Sequence, residues 1–108
     1  MYRRLTFDRI RKIALELPGA DDGMSYGAQA VKVNGKLFVR WREDLNAIVL
    51  KTTVDEREAM MEEDPKVYFI TDHYLNYEYV LVSLEHVSRE VLPELIRRSF
   101  DLAKKGKK

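Results

Sequence analysis

The sequence predicts an α+β fold: a helix, three strands, a helix, two strands and a last helix, arranged as two layers around an antiparallel five-stranded sheet. Three observations carry this. Residues 67 to 82, VYFITDHYLNYEYVLV, hold two apolar aromatic runs separated by the polar break Thr71 to Asn76, and both runs read as strands. Asn34-Gly35 sits between the β-like runs AQAVKV and KLFVRWR, where a two-residue hairpin turn needs two residues that tolerate positive φ. Segments near both ends carry apolar residues at helical spacing, so each offers one stripe to a sheet.

In chain order, Thr6 caps a first helix with Asp8 in its first turn, and Ile10, Ile13, Ala14 and Leu17 form its stripe. Leu17-Pro18-Gly19 stops it, because proline disfavours helical dihedrals in the residue before it. Residues 19 to 27, GADDGMSYG, read as loop, with Asp21 and Asp22 as turn and cap residues rather than metal ligands. In the next hairpin, simple alternation pairs Val33 with Lys36, Lys32 with Leu37, Val31 with Phe38 and Ala30 with Val39. One face then carries Val31, Val33, Lys36, Phe38, Arg40 and Arg42, and the other Ala28, Ala30, Lys32, Leu37, Val39 and Trp41. Neither face is cleanly polar, so helices or a partner must cover both.

A third strand runs from about Ala47 to Lys51 after the turn Glu43 to Asn46. Thr53-Val54-Asp55-Glu56 has capping-box spacing, with Glu56 expected to reach back to the cap. The helix it starts passes Met60 and Met61 and ends at Asp64-Pro65; its outer side, Asp55, Glu56, Glu58, Glu62 and Glu63, is acidic and must point away from any nucleic acid. The paired strands Val67 to Ile70 and Tyr77 to Leu84 come next. A last helix begins near Ser88, or with Pro93 as its first residue, and Leu92, Leu95, Ile96 and Ala103 form its stripe, interrupted by Ser99. The basic tail from Lys104 to Lys108 suits the negative end of that helix.

With 108 residues the chain matches a single domain over residues 1–108, able to bury roughly two thirds of its unfolded surface. It has no cysteine, which excludes disulfides, thiolate nucleophiles and cysteine zinc sites. Nowhere do the ~18 apolar residues of a membrane span run together, and Met1 to Thr6 leads into charged sequence without the apolar core of a signal peptide. The expectation is a soluble protein of the cytoplasm with no membrane contact. Net charge is +1, but residues 1 to 20 carry +3, residues 21 to 88 carry −6 and residues 89 to 108 carry +4. Duplex binders usually show a stronger global field.

Residue chemistry identifies no reaction. Asp72 and His73 are the ionisable residues of a short aromatic-flanked loop, and His73 and His86 are the two histidines of the chain. No serine stands in a nucleophile-elbow setting, and nothing completes a site around His73, so it reads as a structural hydrogen-bonding residue. No catalytic residue, metal site or cofactor is expected.

Read whole, the chain resembles the MmcQ/YjbR family. The resemblance is carried by Leu17-Pro18-Gly19, Ser25-Tyr26-Gly27, the hairpin Val31 to Phe38, the run Asp55-Glu56-Arg57-Glu58, and Tyr68 to Tyr74 followed by Tyr79-Val80-Leu81-Val82, over about residues 7 to 103. It implies an α-β(3)-α-β(2)-α domain of the secretion-chaperone type, in agreement with the order above. It also implies DNA binding by a double-wing motif, the wings being β-hairpins. On that reading a non-enzymatic, largely non-sequence-specific binder uses Lys32, Lys36, Arg40 and Arg42 on phosphate, with Phe38 and Trp41 to stack or wedge. The alternative is a protein-interaction or dimerising module whose mixed hairpin faces meet a second copy or another protein.

Overall fold

The computed structural model describes residues 5–105. Met1 to Arg4, and Gly106 to Lys108 of the basic tail, lie outside the described residues. Three helices, α1 (Phe7–Leu15), α2 (Val54–Glu63) and α3 (Leu92–Lys105), accompany six strands: β1 (Ala20–Ser25), β2 (Ala28–Val33), β3 (Lys36–Arg42), β4 (Ala47–Lys51), β5 (Tyr68–Phe69) and β6 (Tyr79–Ser83). The strands form one antiparallel sheet in the order β1-β2-β3-β4-β6-β5.

The α+β class and the order of helices hold, but the sheet has six strands rather than five. The added strand is β1, whose sequence ADDGMS reads as loop. Backbone pairing overrides that composition: every residue from Ala20, opposite Val33, to Ser25, opposite Ala28, is registered on β2. Tyr26-Gly27 closes this hairpin with φ of 51° and 79°, the geometry that Asn34-Gly35 adopts at 52° and 75° in the next one.

Local signals set the helix starts. Thr6 accepts the Arg9 amide, and Thr53 accepts the Glu56 amide at 3.1 Å. The reciprocal half of the expected capping box is replaced, because the Glu56 carboxylate takes Arg98 of α3 instead. Ser88 caps a short 3₁₀ turn, Arg89–Val91, which runs into α3.

One sheet face is covered by α1 and α3. Ile10, Ala14, Leu92, Ile96 and Phe100 pack there on Val31, Val33, Phe38, Val39, Ile48, Leu50, Val80 and Val82, with Ile13, Leu17 and Leu95 at the margin. On the other face Ala47, Val49 and Leu81 lie under Tyr74 of the 70–78 connection. Of the apolar hairpin residues that suggested a partner, Ala30, Val31, Val33, Phe38 and Val39 are buried within the chain, and Ala28, Leu37 and Trp41 are half-buried.

The hairpin register departs from simple alternation. Lys32 pairs with Leu37 and Val33 with Lys36 as expected, but Val31 faces Val39 and Ala30 faces Arg40, so the register shifts between Val31 and Lys32 and Phe38 is the extra residue. A β-bulge places two residues of one strand against one of the other and re-aims the side chains beyond it. Phe38 and Val39 both enter the helix-covered core, each fully buried. From there on the alternation is reversed.

Candidate nucleic-acid interface

The reversal decides where the cations go. Arg40 and Arg42 leave the face of Lys36 and join Lys32 and Leu37 on the side away from α1 and α3. Of the four expected phosphate contacts, Lys32, Arg40 and Arg42 thus share one face, while exposed Lys36 stands at the hairpin turn on the other. Lys51 of β4 joins the first group, its Nζ 5.0 Å from the ring centroid of Tyr79. The expected stacking residues do not take part. Phe38 is buried edge-on to Phe100, and Trp41 stacks on Phe7 at 5.3 Å.

Arg40 and Arg42 converge on Tyr74. Arg40 donates from Nη1 to Tyr74 Oη at 2.8 Å and from Nε to the Ser25 carbonyl at 3.2 Å, and its guanidinium lies 5.8 Å from the Tyr26 ring centroid. Arg42 reaches the same hydroxyl at 3.4 Å but is gripped by Asp44 through two bonds of 3.0 and 2.8 Å. That pairing holds the Arg42 pKa far above its usual value and the Asp44 carboxyl below its own, against some desolvation. Arg42 thus arrives with its charge already matched.

Beside Arg40 a pocket of about 220 Å³ opens, lined by Ser25, Tyr26, Leu37, Arg40, Val49, His73, Tyr74, Tyr77 and Tyr79. Tyr26 is 92% and Tyr77 56% exposed. His73 meets Tyr74 edge-on at 4.8 Å and tilts over Tyr77 at 6.2 Å, while Tyr74 meets Tyr79 edge-on at 6.2 Å. Burial, with Tyr74 and Tyr26 nearby, pushes the Tyr79 phenol up from its ordinary pKa, so it is a neutral donor at physiological pH.

The wall made by residues 74 to 79 is held by Arg57 of α2. This buried arginine donates to the carbonyls of Tyr74 at 3.2 Å, Leu75 at 3.3 Å, Tyr77 at 2.6 Å and Tyr79 at 3.1 Å. Four carbonyl oxygens around the two terminal nitrogens offset the cost of burying this charge, while its Nε is buried without a partner among the described residues. A larger groove of about 340 Å³ lies between α2 and α3, but its charged residues are Lys51, Glu56, Glu63 and Arg98, with Arg98 bound to Glu56. Its two carboxylates disfavour a phosphate there. Among the described residues no three His, Cys, Asp or Glu side chains are grouped to hold a metal ion, and no helix is long and apolar enough to cross a membrane. Asp22, expected as a turn or cap residue, is engaged by Arg11 of α1, which lowers its pKa.

A family model, YjbR, matches residues 15–102. The chain belongs to the YjbR family. Among solved structures, a Deinococcus radiodurans protein, DR2400, with a domain of the DUF419 family, is similar to it with a TM-score of 0.79 and 23% identity, over 95% of this chain and 82% of that one. At that identity the likeness speaks for the fold alone. No curated protein matches.

Several residues of this YjbR site escape a reading of the sequence. Arg57 looks like one more charge in an acidic helix, and Lys51 like the end of a strand. Tyr26 carried a signal: an aromatic residue followed by glycine, at the two-residue spacing of a hairpin turn between Ser25 and Ala28. Ser99 is the breach in an apolar stripe, and its hydroxyl is the partner of two strands.

Proposed function

We propose that this YjbR-family chain is a non-enzymatic nucleic-acid-binding protein that uses the sheet face away from α1 and α3, weakly and with little dependence on overall sequence. The observation that carries this reading is the bulge at Phe38, which turns Arg40 to the face of Lys32 and Lys51, beside exposed Tyr26 and Tyr77. Cations for phosphate and open aromatic rings for bases are the two elements of a sequence-tolerant binder. The acidic side of α2 favours this face by contrast, since its carboxylates repel phosphate.

Arg42 is neutralised by Asp44, so Lys32, Arg40 and Lys51 are left to meet about three phosphates. The slope of log affinity against log salt is then about −2.7 for duplex and −2.1 for single strands. Between 50 and 200 mM salt, affinity should fall about fortyfold and twentyfold respectively. Titration of labelled duplex and single-stranded oligonucleotides at the two salts, with wild type and with Lys32→Ala, tests this; the variant should lower the slope by one unit's worth. Absence of binding at 50 mM salt, or a slope that ignores Lys32, refutes it.

A second reading, a protein-interaction module, is favoured by the exposure of Met24 at 57% and Leu75 at 58% beside Tyr26 and Tyr77. β1 also lies at the edge of the sheet. Light scattering at micromolar concentration checks it: a species heavier than the 12.7 kDa chain supports self-association.

A further inference from the structure

We propose that the tyrosine pocket beside Arg40 receives one unpaired guanine base of a single-stranded nucleic acid. This rests on the nucleic-acid reading above and names the ligand that its pocket would take.

Size comes first. About 220 Å³ is less than the ~300–1,000 Å³ of clefts that hold whole drug-sized ligands. One ring system fits and an entire cofactor does not. The surroundings are those of a flat apolar group: Leu37 and buried Val49 supply an apolar surface, and Tyr26, His73, Tyr74, Tyr77 and Tyr79 supply rings. Every base has a π-face, so rings alone would take any base.

Arg40 supplies the choice. A guanidinium has five N–H donors: one on Nε and two on each terminal nitrogen. Ser25 O takes the Nε proton and Tyr74 Oη takes one on Nη1, leaving one on Nη1 and two on Nη2. Those two contacts also fix the plane of the fork, so the remaining donors are ordered before a ligand arrives. A planar pair of donors matches two adjacent acceptors, and guanine presents O6 and N7. Adenine shows an amino donor where guanine has O6, which sets donor against donor. Uracil and thymine lack two adjacent acceptors, and cytosine, whose O2 and N3 are adjacent, has a single ring that stacks on the tyrosines over less area than a purine does. A base within a duplex is stacked on its neighbours, so it reaches a pocket walled by rings only when unpaired.

The test is an NMR titration of ¹⁵N-labelled protein with GMP, AMP, CMP and inorganic phosphate, at 50 mM salt. GMP is expected to shift the amides of Ser25, Tyr26, Arg40, His73 and Tyr77, with AMP and CMP at least tenfold weaker and phosphate without effect there. Tyr26→Asn removes the most exposed ring, and asparagine tolerates the positive φ of that position. Loss of one stacking ring should lower GMP affinity about five- to 150-fold. Arg40→Lys loses the fork, so the preference for GMP over AMP should vanish. Equal response to GMP, AMP and phosphate overturns the proposal in favour of a plain phosphate site, and no response of the pocket to GMP overturns it outright. Oligonucleotide binding with the expected salt slope but no guanine preference leaves the surface reading standing and removes the pocket. Guanine binding without oligonucleotide binding does the reverse.

Discussion

Replacing Ser99 by alanine should destabilise the protein far more than the loss of one hydroxyl suggests. Ser99 is fully buried on α3, and its Oγ donates to the Phe38 carbonyl at 2.6 Å while accepting the Lys51 amide at 2.7 Å. Val39 faces Leu50, the last registered pair of β3 and β4, so Phe38 and Lys51 are the next positions along, where that ladder ends. The hydroxyl stands in for the missing strand-to-strand bond. Alanine leaves the half-buried Lys51 N–H and the buried Phe38 C=O without partners, at about 1–3 kcal/mol each, so a loss of about 2–6 kcal/mol is expected. Against a total stability of about 5–15 kcal/mol that is a large share. Urea denaturation followed by circular dichroism should show the midpoint falling by roughly 1 M or more with an unchanged slope, and Tm should fall by at least about 8 °C. A loss under about 0.5 kcal/mol would mean that β3 and β4 close up and bond directly once the hydroxyl is gone. The bulge would then not depend on Ser99, and the reasoning would fail.

Arg57→Met removes the donor shared by four carbonyls of residues 74 to 79, so hydrogen exchange in that segment should quicken before global unfolding and stability should fall by about 2–4 kcal/mol; unchanged protection of residues 74 to 79 would show that the loop stands without it. Burial raises the Tyr79 phenol above its ordinary pKa of 10.0, and Tyr68 likewise, so these groups add stability that is present below pH 10 and is lost as pH rises through their folded-state values. Tyr79→Phe should flatten the alkaline decline by up to about 1.4 kcal/mol per pH unit, leaving the part due to Tyr68; denaturant midpoints between pH 8 and 11 decide it.

What the sequence by itself determined is what acts within a few residues. Thr6 and Thr53 cap their helices because the acceptor and the free amide are three positions apart, and Asn34-Gly35 turns because both residues accept positive φ. The stripes Ile10–Leu17 and Leu92–Ala103 fix which side of each terminal helix meets the sheet, and with the strand runs they give the α+β class. Tertiary structure decided the rest, because the deciding partners are remote. Strand β1 exists through pairing with β2, against its own composition. The bulge at Phe38 is stitched by Ser99, 61 positions away, and one residue of register turns Arg40 and Arg42 onto the opposite face. Arg57 becomes buried only because the carbonyls of residues 74 to 79 fold around it, some 17 to 22 positions on. The pocket joins β1, β3, β4, β6 and the 70–78 connection, and no local spacing records that meeting.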